Sequence, residues 1–388
     1  MSSFPTLTIA GQILSKASRE HPADEVLRHE LKNRGGISRA EAGPISHAVF
    51  AYYRWRGWLD ASQAIEAQLQ SALGLADRFK KQPQSFSDAE LVARAVPAWV
   101  KEEMEVSAEW ARALQAEPKL WLRARPGQGR ALGRALGDCR AFGAGALADA
   151  LEYLGRKDLF RTKEFHTGAF EVQDLSSQAV GLVCTPQPGQ MWWDACAGEG
   201  GKALHLADLM QNQGLIWASD RAEWRLKILK RRAARARVFN YRSTLWDGAV
   251  RLPTRTRFDG VLVDAPCSGI GTWQRNPQSR WTTDQKDVRE LGGVQLQLLV
   301  RAAEAVKPGG KLIYAVCTLA AAETLSVAAA FQEQCPEFKP TLMNNPLVPG
   351  SATSTQLWLR PQDFGGNGMF VAAWSTPKVH ARTCDVQP

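Results

Sequence analysis

The chain has 388 residues, 45% hydrophobic, with 48 basic against 39 acidic side chains and a formal charge of +9. That length allows two or three domains, no apolar run approaches a bilayer span, and Met1 to Arg19 lacks a cationic start with an apolar core, which predicts neither membrane helix nor secretory signal. Seven irregularly spaced cysteines make no disulfide framework and no paired zinc motif, so a reducing cytoplasm without metal is expected, and the basic excess favours polyanion partners.

From Thr6 to Glu117 the pattern is helical, rich in Ala, Leu, Glu and Arg. Ile45 to Leu59 spaces Ile45, Val49, Phe50, Tyr53, Trp55 and Trp58 among Arg54 and Arg56, which predicts a buried helix with a basic margin. Lys80 to Asp88 reads as a surface loop. Leu120 to Arg123 is a short predicted strand, followed by a Gly/Ala/Arg-rich helix over Gly129–Gly155. From Val172 onward apolar strands alternate with amphipathic helices, the mark of a parallel sheet. Strands are predicted at Met191–Asp194, Leu215–Asp220, Ser243–Trp246, Phe258–Asp264 and Lys311–Cys317, with Gln356–Leu359 and Met369–Trp374 as a closing hairpin. Helices start near Lys202, Ala222, Lys286 and Ala321. Beyond Ser375 no core-forming pattern remains.

The first strand of the sheet ends in Asp194-Ala195-Cys196-Ala197-Gly198-Glu199-Gly200-Gly201-Lys202 and runs into a helix. Glycines permit a tight turn, and free amides at a helix start attract a carboxylate or phosphate. This suits the methionine carboxylate of S-adenosylmethionine as well as a dinucleotide pyrophosphate. The Walker pattern is absent, because Ala203 follows Lys202. Asp220, at the second strand's end, is placed to accept ribose hydroxyls, and Asp247, after the third, to accept an adenine amino group. In the helix Arg221 to Val238, Trp224, Ile228 and Leu229 are predicted to pack on the sheet. Arg221, Arg225, Lys227, Lys230, Arg231, Arg232, Arg235 and Arg237 are left to track a phosphate backbone.

Cys267 follows the run Phe258 to Val263 within Asp264-Ala265-Pro266-Cys267-Ser268-Gly269, and Cys317 follows Lys311 to Val316. Parallel strands would bring both thiols and Asp264 to one carboxyl edge, where open α/β sheets do their chemistry. Two thiols and a carboxylate beside a nucleoside cofactor suit covalent catalysis on a pyrimidine ring. A thiolate adding to carbon 6 makes carbon 5 nucleophilic, and a carboxylic acid can support charge at ring nitrogen 3. Spacing does not rank the two thiols.

Phe258 through Gly269, together with Val172-Gln173-Asp174-Leu175-Ser176-Ser177-Gln178, Arg275-Asn276-Pro277 and Glu323, resembles the RNA cytosine-5 methyltransferases of the Sun/Fmu group, whose bacterial members modify small-subunit ribosomal RNA. The likeness covers Leu120 to Trp374. Tyr52-Tyr53-Arg54-Trp55 and Leu59-Asp60 more faintly resemble the NusB-like helical domain of some members. The resemblance implies an α/β fold with a Rossmann-like methyltransferase sheet and closing antiparallel hairpin, preceded by an all-α NusB-like domain and a small α+β subdomain. The expected divisions are 1–117 (accessory, RNA-binding), 118–171 (RNA recognition), 172–376 (catalytic) and 377–388 (tail).

By the same resemblance Cys317 is the nucleophile, Cys267 assists product release and Asp264 contacts the cytosine. Cys196, Ala197, Gly198, Glu199, Gly200, Gly201 and Lys202, with Asp220, Arg225, Asp247 and Asp264, hold S-adenosylmethionine. The expected partner is RNA, ribosomal RNA before transfer RNA, and the expected state is a monomer. Glu199 stands where the family has proline, Val316 replaces a hydroxyl residue, Ala321-Ala322 replace polar ones, and Asn367-Gly368-Met369-Phe370 is a variant segment. The competing readings are a dehydrogenase, for which the two strand-end cysteines have no task, and a non-catalytic RNA-binding assembly factor.

Overall fold

The structure, a computed structural model, describes residues 4–34, 38–143 and 145–377. The expected tail lies outside the described residues except for Pro377. Among the described residues no helix is long and apolar enough to cross a membrane.

The front is helical: α1 (Phe4–Lys16), α2 (Ala23–Asn33), α3 (Arg39–Trp55), α4 (Ile65–Lys81), α5 (Asp88–Arg94), α6 (Val100–Glu103) and α7 (Ala108–Gln115). Ser38, Ser87 and Ser107 cap α3, α5 and α7 by accepting backbone N–H groups that a helix start leaves free. Ile45, Val49, Tyr53 and Trp55 of α3 are buried as the pattern requires, but so is Arg54, so the basic margin is not solvated there. Trp55, Trp110 and Leu114 share a core with Ile270, Trp273, Val288, Leu319 and Ala320 from much later in the chain. Arg280 is fully buried at this seam. Its guanidinium donates to the carbonyl oxygens of Arg54 (3.3 Å), Ala95 (2.9 Å) and Leu114 (3.1 Å), at the C-terminal ends of α3, α5 and α7. Unsatisfied carbonyls and the negative ends of helix dipoles converge on one cation.

A four-stranded antiparallel sheet follows, built from β1 (Leu120–Ala124), β2 (Cys139–Ala141), β3 (Ala150–Tyr153) and β4 (Phe170–Val172) in the order β2-β3-β1-β4, with α8 (Gly129–Leu136) and α9 (Lys163–His166). The helix expected over Gly129–Gly155 therefore stops at Leu136. Gly137 (φ 67°) and Asp138 (φ 47°) turn the chain left-handed, and β2 and β3 occupy the remainder.

After α10 (Leu175–Cys184) comes the main sheet: β5 (Met191–Asp194), α11 (Gly201–Leu209), β6 (Leu215–Asp220), α12 (Glu223–Ala236), β7 (Tyr241–Leu245), β8 (Phe258–Asp264), α13 (Ser279–Thr282), α14 (Gln285–Ala303), β9 (Val306–Val316), α15 (Leu325–Gln334), β10 (Lys339–Pro340), β11 (Gln356–Leu359), α16 (Pro361–Phe364) and β12 (Met369–Ser375). Its order is β10-β12-β9-β8-β5-β6-β7, with β11 also on β12. Strands β5 to β9 run parallel, and β12 is antiparallel to β9, β10 and β11. Both faces are covered. Trp192, Leu262, Ile313 and Val371 face the core containing α10, α11 and α12 residues; Trp193, Val261, Tyr314 and Phe370 face the core of α14 and α15. Double coverage is why these strands read as continuous apolar runs. Gly260 is required inside β8, since a Cβ there would sit 2.4 Å from the Trp192 ring.

The inner face of α12 differs from expectation. Leu226, Leu229 and Ala233 are its buried residues, Ile228 is half-buried, and Trp224 is 56% exposed. The buried stripe steps by three and four residues from Leu226, which turns Trp224 outward.

Candidate active site

The parallel pairing of β8 with β9 sets Asp264 opposite Ala315, so the loops after both strands leave the same edge. There the Cys267 and Cys317 sulfurs lie 3.1 Å apart, each half-buried, one thiol donating to the other. Contact with Cys317, reinforced by burial, pushes the Cys267 thiol well above its ordinary range. The Lys202 ammonium donates to Asp264 Oδ2 at 2.6 Å. Burial alone would lower the Lys202 pKa, but the Asp264 carboxylate outweighs it and the pKa is raised; Cys317 acts in the same direction. The glycine turn thus delivers its lysine to the carboxylate between the two strand ends, so Lys202 is committed to Asp264.

One buried carboxylate ties the two cysteine loops together. Glu323 is fully buried and accepts hydrogen bonds from the Ser268 backbone N–H (2.8 Å), the Ser268 hydroxyl, the Thr318 hydroxyl (2.9 Å) and the Gln295 amide (2.9 Å). Burial raises its pKa, and these donors partly offset that rise. Ser268 follows Cys267 and Thr318 follows Cys317, so Glu323 fixes both thiols through their neighbours. Tyr314 locks the assembly with one hydroxyl proton shared between the Glu323 carbonyl oxygen at 2.7 Å and the Gln295 amide oxygen at 2.8 Å. The repeated pattern of a thiol followed by a hydroxyl was visible in the sequence; the shared acceptor was not.

Beside this lies the glycine turn. Gly198 (φ 54°) and Gly200 (φ 88°) are left-handed, and a Cβ on Gly200 would press on Leu229 of α12 at 2.7 Å. Asp220 holds the turn by accepting from Gly198 N (3.0 Å) and Ala222 N (2.8 Å), with Arg225 at 3.8 Å. Asp194 was not among the expected site residues, yet it is the most strained charge here. It is fully buried, and its carboxylate has the Ala203 backbone N–H as a weak donor without full hydrogen-bond geometry. Burial, then the nearby Asp264 charge, pushes it up to about 7 against the opposing pull of Lys202. The Cys196 thiol is likewise raised well above its ordinary range, by burial and then by Asp194, which leaves it a poor nucleophile. Asp247 is exposed and caps its own turn through Ala249 N at 2.9 Å. Glu199 is exposed, and its carbonyl oxygen accepts from Arg232 at 3.0 Å.

Comparison with known proteins adds the family. A model described as 16S rRNA methyltransferase RsmB/F matches residues 181–375, half of the chain. The chain belongs to the RsmB/F methyltransferase family. The probable ribosomal RNA small subunit methyltransferase B of Bacillus subtilis (strain 168) is 32% identical over 235 residues, 59% of this chain and 53% of that protein. The chain therefore spans about half the length of the curated RsmB/F relatives it matches. Among solved structures, PH0851 covers 96% of this chain and 99% of its own at a TM-score of 0.78 and 21% identity. NSun6 from Pyrococcus horikoshii with SFG covers 70% and 94% at a TM-score of 0.59 and 18% identity. These two establish the fold: the main sheet is the Rossmann-like sheet of methyltransferases.

Proposed function

We propose that the chain transfers a methyl group from S-adenosylmethionine to carbon 5 of a cytosine in RNA, with small-subunit ribosomal RNA as the substrate class for which its relatives are named. The observation that carries this reading is the thiol pair 3.1 Å apart, set beside the Lys202–Asp264 pair at the sheet's carboxyl edge. The chain fits the cofactor. Asp194 offers a buried carboxylate with spare acceptor capacity for an ammonium group, the 196–202 turn offers backbone amides for a carboxylate, and Asp220, Arg225 and Asp247 line the second and third strand ends. When bound, it supplies an electrophilic methyl group.

The chain's own residues do the rest. Cytosine carbon 5 is a weak nucleophile until the Cys317 thiolate adds to carbon 6 and turns the ring into an enamine. Asp264 and its ammonium partner supply a proton or hydrogen bond at ring nitrogen 3 as charge develops there. After transfer the carbon-5 proton leaves to a water held by Cys267, or to the Cys267 sulfur itself once that thiol has passed its own proton to the water. The carbon 6–sulfur bond then breaks and returns its electron pair to Cys317. Residues 1–117 are read as a NusB-like accessory domain, 118–171 as an RNA-recognition subdomain and 172–376 as the catalytic domain. The all-helical front and the separate four-stranded sheet support that division.

Cys267→Ala is expected to trap a covalent protein–RNA adduct that survives denaturing electrophoresis. Cys317→Ala is expected to lose both adduct and turnover, with 5-methylcytosine read by bisulfite sequencing. Turnover that persists without Cys317 refutes the assignment.

A further inference from the structure

Away from the thiols, a groove of about 520 Å³ runs between α12 and the four-stranded sheet. Its walls carry Phe160 and Phe165 on one side and Ile228, Arg231, Arg232 and Arg235 on the other. Phe160 is 60% exposed, an uncommon cost for a ring this size, and its edge is pinned against Phe165 at 4.9 Å and 84°. The pinning holds the ring while leaving it open to solvent. The Arg235 guanidinium covers the Phe165 ring at 3.9 Å.

The groove is also over-supplied with positive charge. Arg125, Arg232 and Arg235 all converge on the single buried carboxylate of Glu171. Arg125 has a second acid in Asp208, which Arg123 shares. Arg123 and Asp208 are buried behind the groove, whose own lining sets Arg231, Arg232 and Arg235 against Glu171 and Glu199, with Arg231 exposed. Arg235 Nε has no hydrogen-bond partner. Glu199 also lines the groove and opposes this excess. An exposed aromatic ring beside unmatched guanidiniums is the chemistry that takes a base and its phosphate together. The groove is continuous with the glycine turn, because Arg232 donates to the Glu199 carbonyl oxygen.

We propose that this groove is a second contact for the RNA strand, taking one unpaired nucleotide that flanks the target, with its base stacked on Phe160 and its phosphate held by Arg231 and Arg235. The inference rests on the reading of RNA as substrate, but its test needs no methylation. Binding of the full chain to fluorescein-labelled decauridylate, which contains no cytosine, is measured by anisotropy without cofactor, beside an RNA duplex of equal length. Phe160→Ala is expected to weaken decauridylate binding about tenfold, Phe160→Trp to restore it, and the duplex to change less than about twofold. Arg231→Ala is expected to reduce the slope of log affinity against log salt by about 0.7, one phosphate on a single strand. Glu199→Gln is expected to tighten binding.

Unchanged decauridylate affinity in Phe160→Ala, or an equal loss on the duplex, overturns the proposal. So does displacement by decaglutamate with the same sensitivity to Phe160→Ala, which would mark an acidic-peptide site. Phe160 is exposed, so its replacement leaves the core intact. Failure of the methyltransferase reading appears separately, as absence of the Cys267→Ala adduct with decauridylate binding unaffected.

Discussion

Asp194→Asn is the sharpest test of how the site is built. The carboxylate is buried at the end of β5, has only weak help from the Ala203 N–H, and has Asp264 and Asp220 as unfavourable neighbours; Lys202 is engaged with Asp264. Its folded pKa of about 7 lies above an unfolded value of about 3.9. Below the unfolded value both states are protonated and nothing is lost. As pH rises from there to about 7 the unfolded chain releases its proton first, so the folded state loses stability; above about 7 the penalty is constant. At about 1.4 kcal/mol per pH unit, the full penalty is roughly 4 kcal/mol. Asparagine keeps the shape and cannot ionise. In urea unfolding followed by tryptophan fluorescence, its advantage over the parent is expected to grow by about 2–3 kcal/mol between pH 5 and 8. The same change is expected to weaken S-adenosylmethionine binding by about tenfold or more in calorimetry, since the spare acceptor is lost. A stability difference that is flat with pH refutes the reasoning, because it would mean that Lys202 and the Ala203 N–H fully offset the burial of Asp194. Gain in stability with loss of binding is what a site charged in advance for a cationic ligand requires.

Two further outcomes follow from the same geometry. Glu323→Ala leaves the Ser268 N–H without an acceptor and the Gln295 amide with only the Pro266 carbonyl oxygen, and is expected to cost about 2–5 kcal/mol in urea unfolding. It should also separate the rates at which iodoacetamide alkylates Cys267 and Cys317, whereas Glu323→Gln, which keeps one acceptor oxygen, should do less of both. Arg280→Met strips three helix ends of their donor and is expected to cost about 3–5 kcal/mol, with Arg280→Lys recovering part of it; equal stability of the two variants would refute the helix-end account.

How much of this was legible in the sequence depends on how local the cause is. Strands β5, β6, β8 and β11 fall on their expected bounds, because each is a run of apolar residues bounded by turn chemistry. The thiols' meeting at one edge followed from their position directly after two such runs. The helix expected over Gly129–Gly155 stops short because helical composition continues past Gly137 and Asp138, whose left-handed turn ends it. The short β10 (Lys339–Pro340) has no pattern of its own and exists only because β12 offers it an edge. The α12 face departs from expectation because Trp224, though large, lies off the helix phase set by Leu226, Leu229 and Ala233.

Charge is where local reading fails most. A lone arginine in a helix is ordinarily a solvated one, so Arg54 was placed on a margin. It is buried because Arg54 donates to the Gln274 carbonyl oxygen across the seam, next to the position where Arg280 collects three helix ends. Glu117 favours the Arg54 charge from nearby, but the direct partners of both guanidiniums are backbone carbonyl oxygens supplied by elements far apart in the chain. Glu323 is the inverse case, a buried anion satisfied by neutral donors from three segments. Sequence patterns record which side chains are apolar and where the chain turns. They carry no trace of which distant peptide groups will neutralise an ion, and so the residues that position the thiols, unlike the thiols themselves, emerge only from the folded arrangement.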